Sequence, residues 1–403
     1  MTRKRQESAG DPVVSVVILA WRLRQELIEA ISSLFASTDA PDLEVIIVSN
    51  GAPGSLLRDV EAAFDGVRII DLGCNTGFGF AANRGAVESR GEFLLFFNDD
   101  AIAEPSMLGA LLRSIDEPTE AARPIAAVGA VLMNPDGSVQ EAGSRLLEDA
   151  GTVQLGRGLT RDEATTAGWL RRRPVDYASA AALLFRRETF LRAGGYDARF
   201  RPAYFEDVDL ALRMRLMGYD VILEPEAVAI HRSGASTDTD PRFREFAGDH
   251  AGRAFRARWA AILPAAASAD DPPDRTIQVA AGAVTPAQGD APSTEDPVEV
   301  AAGISRDYIA WLNERLDRAR QDIEEVTREL DRCRAERRDF EIAHGAGLDQ
   351  ARAATIAAER AADDRARLAE EYRLRLEEVE HLGLVALVKW RIGRANRDRG
   401  RTG

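Results

Sequence analysis

The sequence predicts an α/β domain of parallel strands covered by helices, then a flexible linker, then a C-terminal α-helical coiled coil. Three observations carry this. Short apolar runs alternate with segments of helical spacing over residues 13–263. Residues 264–303 lose all periodicity and fill with Pro, Ala and acidic residues. A heptad pattern then runs through the stretch that follows, residues 304–380.

In the first domain, Val13–Ala20 (VVSVVILA) is an unbroken apolar run, as expected of a strand buried on both faces. Leu27, Ile31 and Leu34 recur at spacings of four and three, which predicts a helix. Glu44–Ser49 (EVIIVS) is a second buried strand, ending in Asn50-Gly51, and Leu56, Val60 and Ala63 mark another helix. Val67–Leu72 is a third strand, Ala81–Arg90 a helix, and Glu92–Phe97 (EFLLFF) a fourth strand. This β-α-β-α order implies a parallel sheet, whose ligands sit beyond the carboxyl ends of the strands. The polar groups at those ends are Asn50, Asn75 and the triplet Asn98-Asp99-Asp100.

Composition removes several classes of function. The 403 residues carry 52 Lys and Arg against 66 Asp and Glu, a net charge of −14, which argues against a nucleic-acid partner. No apolar run approaches the ~18 residues that span a bilayer. Residues 1–12 are polar, lack the apolar core of a secretory signal, and are expected to be disordered. The two cysteines, Cys74 and Cys333, fall in different units, which excludes a disulfide framework or a cysteine metal cluster. A cytoplasmic protein is expected.

Three features can carry chemistry. Carboxylates of Asn98-Asp99-Asp100, directly after an apolar strand, can hold a hard divalent cation beside a diphosphate; the plainer reading is a loop that turns the chain. Glu206, Asp207 and Asp209 open an amphipathic helix, where acids also favour the helix dipole. Beside Tyr204 and Phe205, partial desolvation would raise a carboxylate's pKa and suit a general base. His231 ends a second pair of strand-like runs, Val221–Leu223 and Ala227–Ile230, just before Arg232-Ser233-Gly234. A competing motif is Gly77-Phe78-Gly79-Phe80-Ala81-Ala82, which fits the dinucleotide pattern of an NAD-dependent oxidoreductase, but follows the third strand instead of the first.

The ordered set SVVILAW, EVIIVSNG, NTGFGFAANRG, FLLFFNDD, AGGYDARFRPAYFEDVDLALRMRLMGYDVILEP and AIHRSGAS resembles a family 2 glycosyltransferase, closest to the rhamnosyltransferase-like branch, over residues 13–250. The resemblance implies a GT-A fold with a Rossmann-like sheet, an inverting transfer from a nucleoside-diphosphate sugar, and a divalent cation, Mg2+ or Mn2+. By position, Asp100 and His231 match the metal site, Asp207 the general base, and Glu206 the acid beside it. Asn98 and Asp99 complete the motif, while Ser49, Asn50, Gly51, Asn75, Gly77 and Asn83 match the donor-binding stretches. Three departures stand out: Ser49 replaces the usual Asp, Trp21-Arg22 an aromatic-Asn pair, and Ala178-Ser179-Ala180-Ala181 a Gly-Ala pair. The implied substrates are a nucleotide sugar and a glycan or lipid-linked glycan hydroxyl, in surface polysaccharide synthesis. A scaffold built on an inactive transferase domain is the alternative.

The resemblance stops before the linker. Ile309, Leu312, Leu316, Ala319, Ile323, Val326, Leu330, Cys333, Arg337 and Phe340 alternate spacings of three and four, and predict self-association through a coiled coil; a helix folding back at Gly345 and Gly347 is the alternative. Residues 381–403 contain LGLVALVKWRI and six basic residues against one acid, Asp398. Such an amphipathic basic tail suits an anionic bilayer, which would put the protein peripherally on the inner face of the cell membrane; a packed C-terminal helix with a solvated basic end is the alternative.

Overall fold

A computed structural model describes residues 13–38, 41–118, 123–232, 241–266, 275–277, 295–343 and 355–375. The chain divides into two compact units, residues 1–304 and 305–403.

The first unit opens with β1 (Val14–Ala20), α1 (Arg24–Phe35), β2 (Leu43–Ser49), α2 (Gly54–Ala63), β3 (Arg68–Asp71), α3 (Phe78–Glu88) and β4 (Phe93–Phe97). β5 (Ala101–Ala103), α4 (Met107–Asp116), β6 (Ile125–Met133), β7 (Val139–Glu141), β8 (Ser144–Leu146) and β9 (Thr152–Gln154) follow. Then come α5 (Arg161–Thr166), β10 (Arg173–Val175), β11 (Ala182–Arg186), α6 (Arg187–Arg192), α7 (Glu206–Leu216), β12 (Asp220–His231) and α8 (Pro241–Trp259). The long helix α9 (Pro297–Ala343) begins at the end of this unit.

The sheet runs β10-β12-β6-β11-β4-β1-β2-β3, with β5 added to β12 and β7 to β6. The expected parallel arrangement holds for β4-β1-β2-β3. It fails at β11, which runs antiparallel between β4 and β6. The sheet is therefore mixed. The strands at its centre are buried along their whole length, which explains why they read as continuous apolar runs. α3 packs on β1 and β2, and α4 on β6 and β12.

Two details of this frame position the site. The runs read as separate strands around Glu224-Pro225-Glu226 form one strand, β12, with a shift of register between Glu224 and Val228. Pro225 cannot donate to the ladder, and an irregularity at that point re-aims the strand. Its last residues pair with β5, so that His231 lies opposite Ala101, one residue from Asp100. The second detail is α7, whose first turn holds the acids. Asp209 is fully buried and bound by Arg213 (2.7 Å), Arg258 (3.0 Å) and the indole N–H of Trp259 (3.0 Å). That network ties α8 to α7 and makes Asp209 structural.

Described residues within the expected linker pack against the domain. Ile277 is buried, and its N–H donates to Asp176 at 2.7 Å. α9 starts at Pro297, seven residues before the expected coiled-coil boundary. Asp296 accepts from Val298 N–H at 2.8 Å and Pro297 takes the first helical position, where its missing N–H costs nothing.

In the second unit, Leu316, Ile323, Val326, Leu330 and Cys333 line one wall of a groove of about 650 Å³. Its other wall is a second helix, residues 355–375, presenting Ala358, Ala361, Ala362, Ala366 and Ala369. Arg337 and Glu359 form an ion pair between the two helices. The heptad stripe that predicted association between chains thus faces a helix of its own chain, as in the folded-back alternative. Residues 1–12, the turn at Gly345 and Gly347 and the basic tail lie outside the described residues. Among the described residues no helix is long and apolar enough to cross a membrane.

Candidate active site

A cavity of about 340 Å³ lies beyond the carboxyl ends of β1, β2 and β4. Leu19, Trp21, Asn50, Asn75, Gly77 and Phe78 form one side, and Asn98 and Asp99 its floor. Ser179–Ala181, Pro202–Tyr204, Glu206, Asp207 and the α8 residues Phe243, Arg244 and Ala247 close it.

Asn50 organises the first side. Its carbonyl oxygen accepts from the N–H (2.7 Å) and hydroxyl (3.0 Å) of Thr76, and its amide donates to Gly77 O at 3.2 Å. Asn75 Oδ1 accepts from Gly77 N–H at 2.9 Å. Gly77 has φ +78° and ψ 173°, a region open essentially to glycine alone. A Cβ there would stand 2.5 Å from Pro202 O, which itself accepts from Phe78 N–H. Gly77→Ala is therefore expected to destabilise the fold by about 1–3 kcal/mol from backbone strain alone, read as a lower urea midpoint. An unchanged midpoint would mean that the loop can move away from Pro202 freely.

The carboxylate corner comes next. Asp100 Oδ1 and Asn98 Nδ2 both lie 3.1 Å from His231 Nε2. Asp100 and His231 are 3% and 8% exposed, so little water screens them. With Nε2 protonated the ring donates to Asp100; with Nε2 unprotonated two lone-pair atoms face one another at a distance that a cation would bridge. About 3 Å is also the edge of an octahedron with ~2.1 Å bonds. The donor set thus fits a small hard cation completed by phosphate and water oxygens. Among the described residues no third His, Cys, Asp or Glu joins the group. Neighbouring Asp99 is pushed up to about 8 by burial and by the Asp100 charge.

The third part is the acid pair at the start of α7. Tyr204 (φ +78°) and Phe205 (φ +65°) are successive non-glycine residues in left-handed conformations, immediately before Glu206. Such strain persists only where the surroundings enforce it. Here it delivers both acids into the cavity at a helix N-terminus. The dipole favours their ionised forms, yet burial prevails. Glu206 is raised well above the usual carboxylate range by burial and the Asp207 charge. Asp207 is raised to about 6 by burial, opposed by the N–H of Ala180, which donates to Oδ2 at 3.2 Å. Burial and the neighbouring charge thus favour the protonated form more strongly at Glu206 than at Asp207. Asp207 Oδ1 is buried and, among the described residues, makes no hydrogen bond of regular geometry, while the buried Tyr196 hydroxyl favours the ionised form of the carboxyl.

Asp207, Glu206, Ser179 and Tyr204 also line a second cleft of about 760 Å³, with Glu141, Thr152, Gln154, Tyr177 and Arg244. Asp207 and Glu206 thus line both open volumes. Glu141 accepts from Ser179 N–H at 2.9 Å, and burial pushes it up to about 7.

Of the residues expected at the site, Asn50, Asn75, Gly77, Asn98, Asp99, Glu206 and Asp207 line the cavity, and Asp100 and His231 meet at its edge. Three do not line it. Ser49 is fully buried and its hydroxyl donates to Asp71 at 2.8 Å. Gly51, at φ +83°, gives room for the backbone of Cys74 and Asn75. Asn83 ties α3 to Tyr196 by accepting from its N–H (2.9 Å) and donating to its carbonyl (2.8 Å). All three shape the cavity from behind. The glycines of the dinucleotide-like motif have packing reasons as well: Gly77 faces Pro202, and Gly79 faces Tyr196 at 3.1 Å from an added Cβ. Sequence reasoning missed Gln140, Glu141, Phe243 and Arg244. The first two sit on a three-residue strand and the others on α8, outside any motif, and no spacing singles them out.

The Glycosyl transferase family 2 profile matches residues 15–176, which include the donor side and the Asn98-Asp99-Asp100 motif but end short of Asp207 and His231. The O-antigen biosynthesis protein RfbC of Myxococcus xanthus is 31% identical over 255 residues, covering 59% of this chain and 19% of that protein. The N-acetylglucosaminyl-diphospho-decaprenol L-rhamnosyltransferase of Mycobacterium tuberculosis (strain CDC 1551 / Oshkosh) is 29% identical over 249 residues, covering 57% of this chain and 79% of that enzyme. Among solved structures, a mannosyltransferase from Pyrobaculum calidifontis in complex with GDP-Man and Mn2+ aligns at a TM-score of 0.44 and 17% identity, over 96% of this chain and 90% of that one. Residues 15–176 thus match the glycosyl transferase family 2 model, and the chain is similar to an O-antigen biosynthesis protein and to an L-rhamnosyltransferase.

Proposed function

We propose that the protein is an inverting, cation-dependent glycosyltransferase that moves an L-rhamnose-type sugar from a dTDP donor to a hydroxyl of a lipid-diphosphate-linked glycan. The observation that carries this reading is the position of the Asp207 carboxyl, which lines both the donor cavity and a second cleft. The sugar and acceptor class rest on the mycobacterial relative, whose name specifies L-rhamnosyl transfer to a decaprenol-linked N-acetylglucosaminyl diphosphate.

In this reading the nucleoside diphosphate lies against Asn50, Asn75 and Gly77. The acceptor enters from the second cleft and presents its hydroxyl to the Asp207 carboxylate. As the acceptor oxygen bonds to the anomeric carbon, Asp207 takes its proton, and the bond from that carbon to the diphosphate oxygen breaks on the opposite face. The configuration inverts. Glu206, neutral beside it, keeps a second negative charge out of the pair. Asp100 and His231 would hold the cation, which neutralises charge developing on the departing diphosphate.

Calorimetric titration of the full chain with dTDP, UDP, GDP and NAD, each with and without Mn2+, tests the reading. Binding of dTDP that requires Mn2+ is the expected result. Tight, metal-independent NAD binding would overturn it, as would failure of every nucleoside diphosphate to bind.

A further inference from the structure

We infer that Gln140 is a positioning residue that fixes the tautomer of His231, through a hydrogen-bond chain of set direction running from the Asp136 carboxylate. The inference rests on the proposed cation site and names what presents that site's nitrogen. The chain lies in the turn between β6 and β7 and in β7 itself. Asp136 can only accept once ionised, and the hydroxyl and N–H of Ser138, at 2.7 and 2.9 Å, hold its carboxyl below the usual range. The Ser138 hydroxyl has one proton, which goes to Asp136, so its oxygen accepts from Asn134 Nδ2 at 2.9 Å. That fixes the Asn134 amide with its carbonyl oxygen towards Gln140, whose Nε2 donates to it at 2.9 Å. The same Gln140 nitrogen donates to the backbone carbonyl of His231 at 3.2 Å.

Gln140 can then offer only its carbonyl oxygen to the imidazole. His231 Nδ1 lies 2.6 Å from that oxygen and must carry the proton. In the neutral ring, Nε2 is left with its lone pair, facing Asp100 and accepting from the Asn98 amide. Every link constrains the next, so an exposed carboxylate at the turn determines which nitrogen meets the cation. A glutamine held at both ends also stops the ring from turning over, which a free side chain at this position would allow. Partners of this kind raise ligand basicity and fix ring orientation, and their loss typically lowers metal affinity 10–100-fold.

Two measurements test this on the full chain. The first is nitrogen-15 NMR of histidine-labelled protein at pH 8 with Mg2+. There are only four histidines, and His231→Gln identifies the signal of interest. The expected result is a proton on Nδ1 and none on Nε2; free neutral histidine favours the opposite form. A proton on Nε2 would overturn the inference. The second is the Mn2+ dissociation constant from the free-ion EPR signal. Gln140→Leu should weaken it 10–100-fold, and unchanged affinity in a folded variant would overturn the inference. If Gln140→Leu does not fold, the wild-type spectrum still decides. Failure of the wild-type chain to bind Mn2+ would remove the cation site and this use of Gln140, while the tautomer would still score the chain of hydrogen bonds by itself.

Discussion

Asp207→Asn is expected to lower kcat by about 10²–10⁴-fold while leaving donor affinity within a fewfold of the wild type. The amide has the carboxylate's volume, and its oxygen can still accept from Ala180 N–H, so the loop is retained. What disappears is the carboxylate that lines both cavities and that burial perturbs less than its neighbour Glu206. In the wild type, kcat/KM should fall tenfold per pH unit below about 6, where burial has placed the Asp207 pKa. The stability effect has the opposite sign. The folded pKa is raised above the unfolded value near 4, so the native state binds more protons between about pH 4 and 6, and stability falls as pH rises through that window. Two units correspond to roughly 3 kcal/mol. Asp207→Asn should therefore unfold at a higher temperature than the wild type at pH 7, and lose that advantage near pH 4. A variant that is both inactive and less stable would mark Asp207 as a structural acid, and one with normal turnover would place the base elsewhere.

The same balance of burial and exposure decides what could be read from the sequence. β1, β2 and β4 announce themselves because both faces are covered, leaving no polar alternation to confuse the run. The short strands have no such signature. β5, β7 and β10, and β8 and β9 of a separate two-stranded sheet, have three residues each, too few to show a period, and the antiparallel insertion of β11 is a tertiary choice its apolar residues do not encode. The chemistry-bearing residues were legible where they follow a strand directly, as Asn98–Asp100 do, or cluster, as Glu206 and Asp207 do. Ser49 and Asn83 were placed at the donor by motif position alone; their side chains instead hold Asp71 and Tyr196. The start of α9 did have a signal, in Asp296-Pro297 with Glu299 two residues on, hidden by the low-complexity stretch before it. Gln140 had none, because a glutamine on a short strand looks like any surface residue until His231 is brought to it from 91 positions away.

Asp100→Asn should abolish the dependence of diphosphate binding on Mn2+ and lower kcat/KM by about 10²-fold or more, since a bound cation supplies several kcal/mol of charge stabilisation to a leaving diphosphate. Among the described residues only two protein ligands are in place, so removing the anionic one leaves an imidazole that cannot hold a hard cation alone. The fold should survive. The new amide can donate to His231 Nε2 across the same 3.1 Å. Asp99→Asn provides the contrast. Asp99 lines the donor cavity but is neutral near pH 7, so its amide variant should keep both the Mn2+ dependence and most of the donor affinity. The two variants share a motif, a burial and a change of one atom, and differ only in whether the oxygen faces His231. If Asp99→Asn loses the metal effect and Asp100→Asn keeps it, the cation lies within the cavity floor and His231 serves the diphosphate directly. If neither loses it, the cation arrives with the nucleotide and the protein only accommodates the pair.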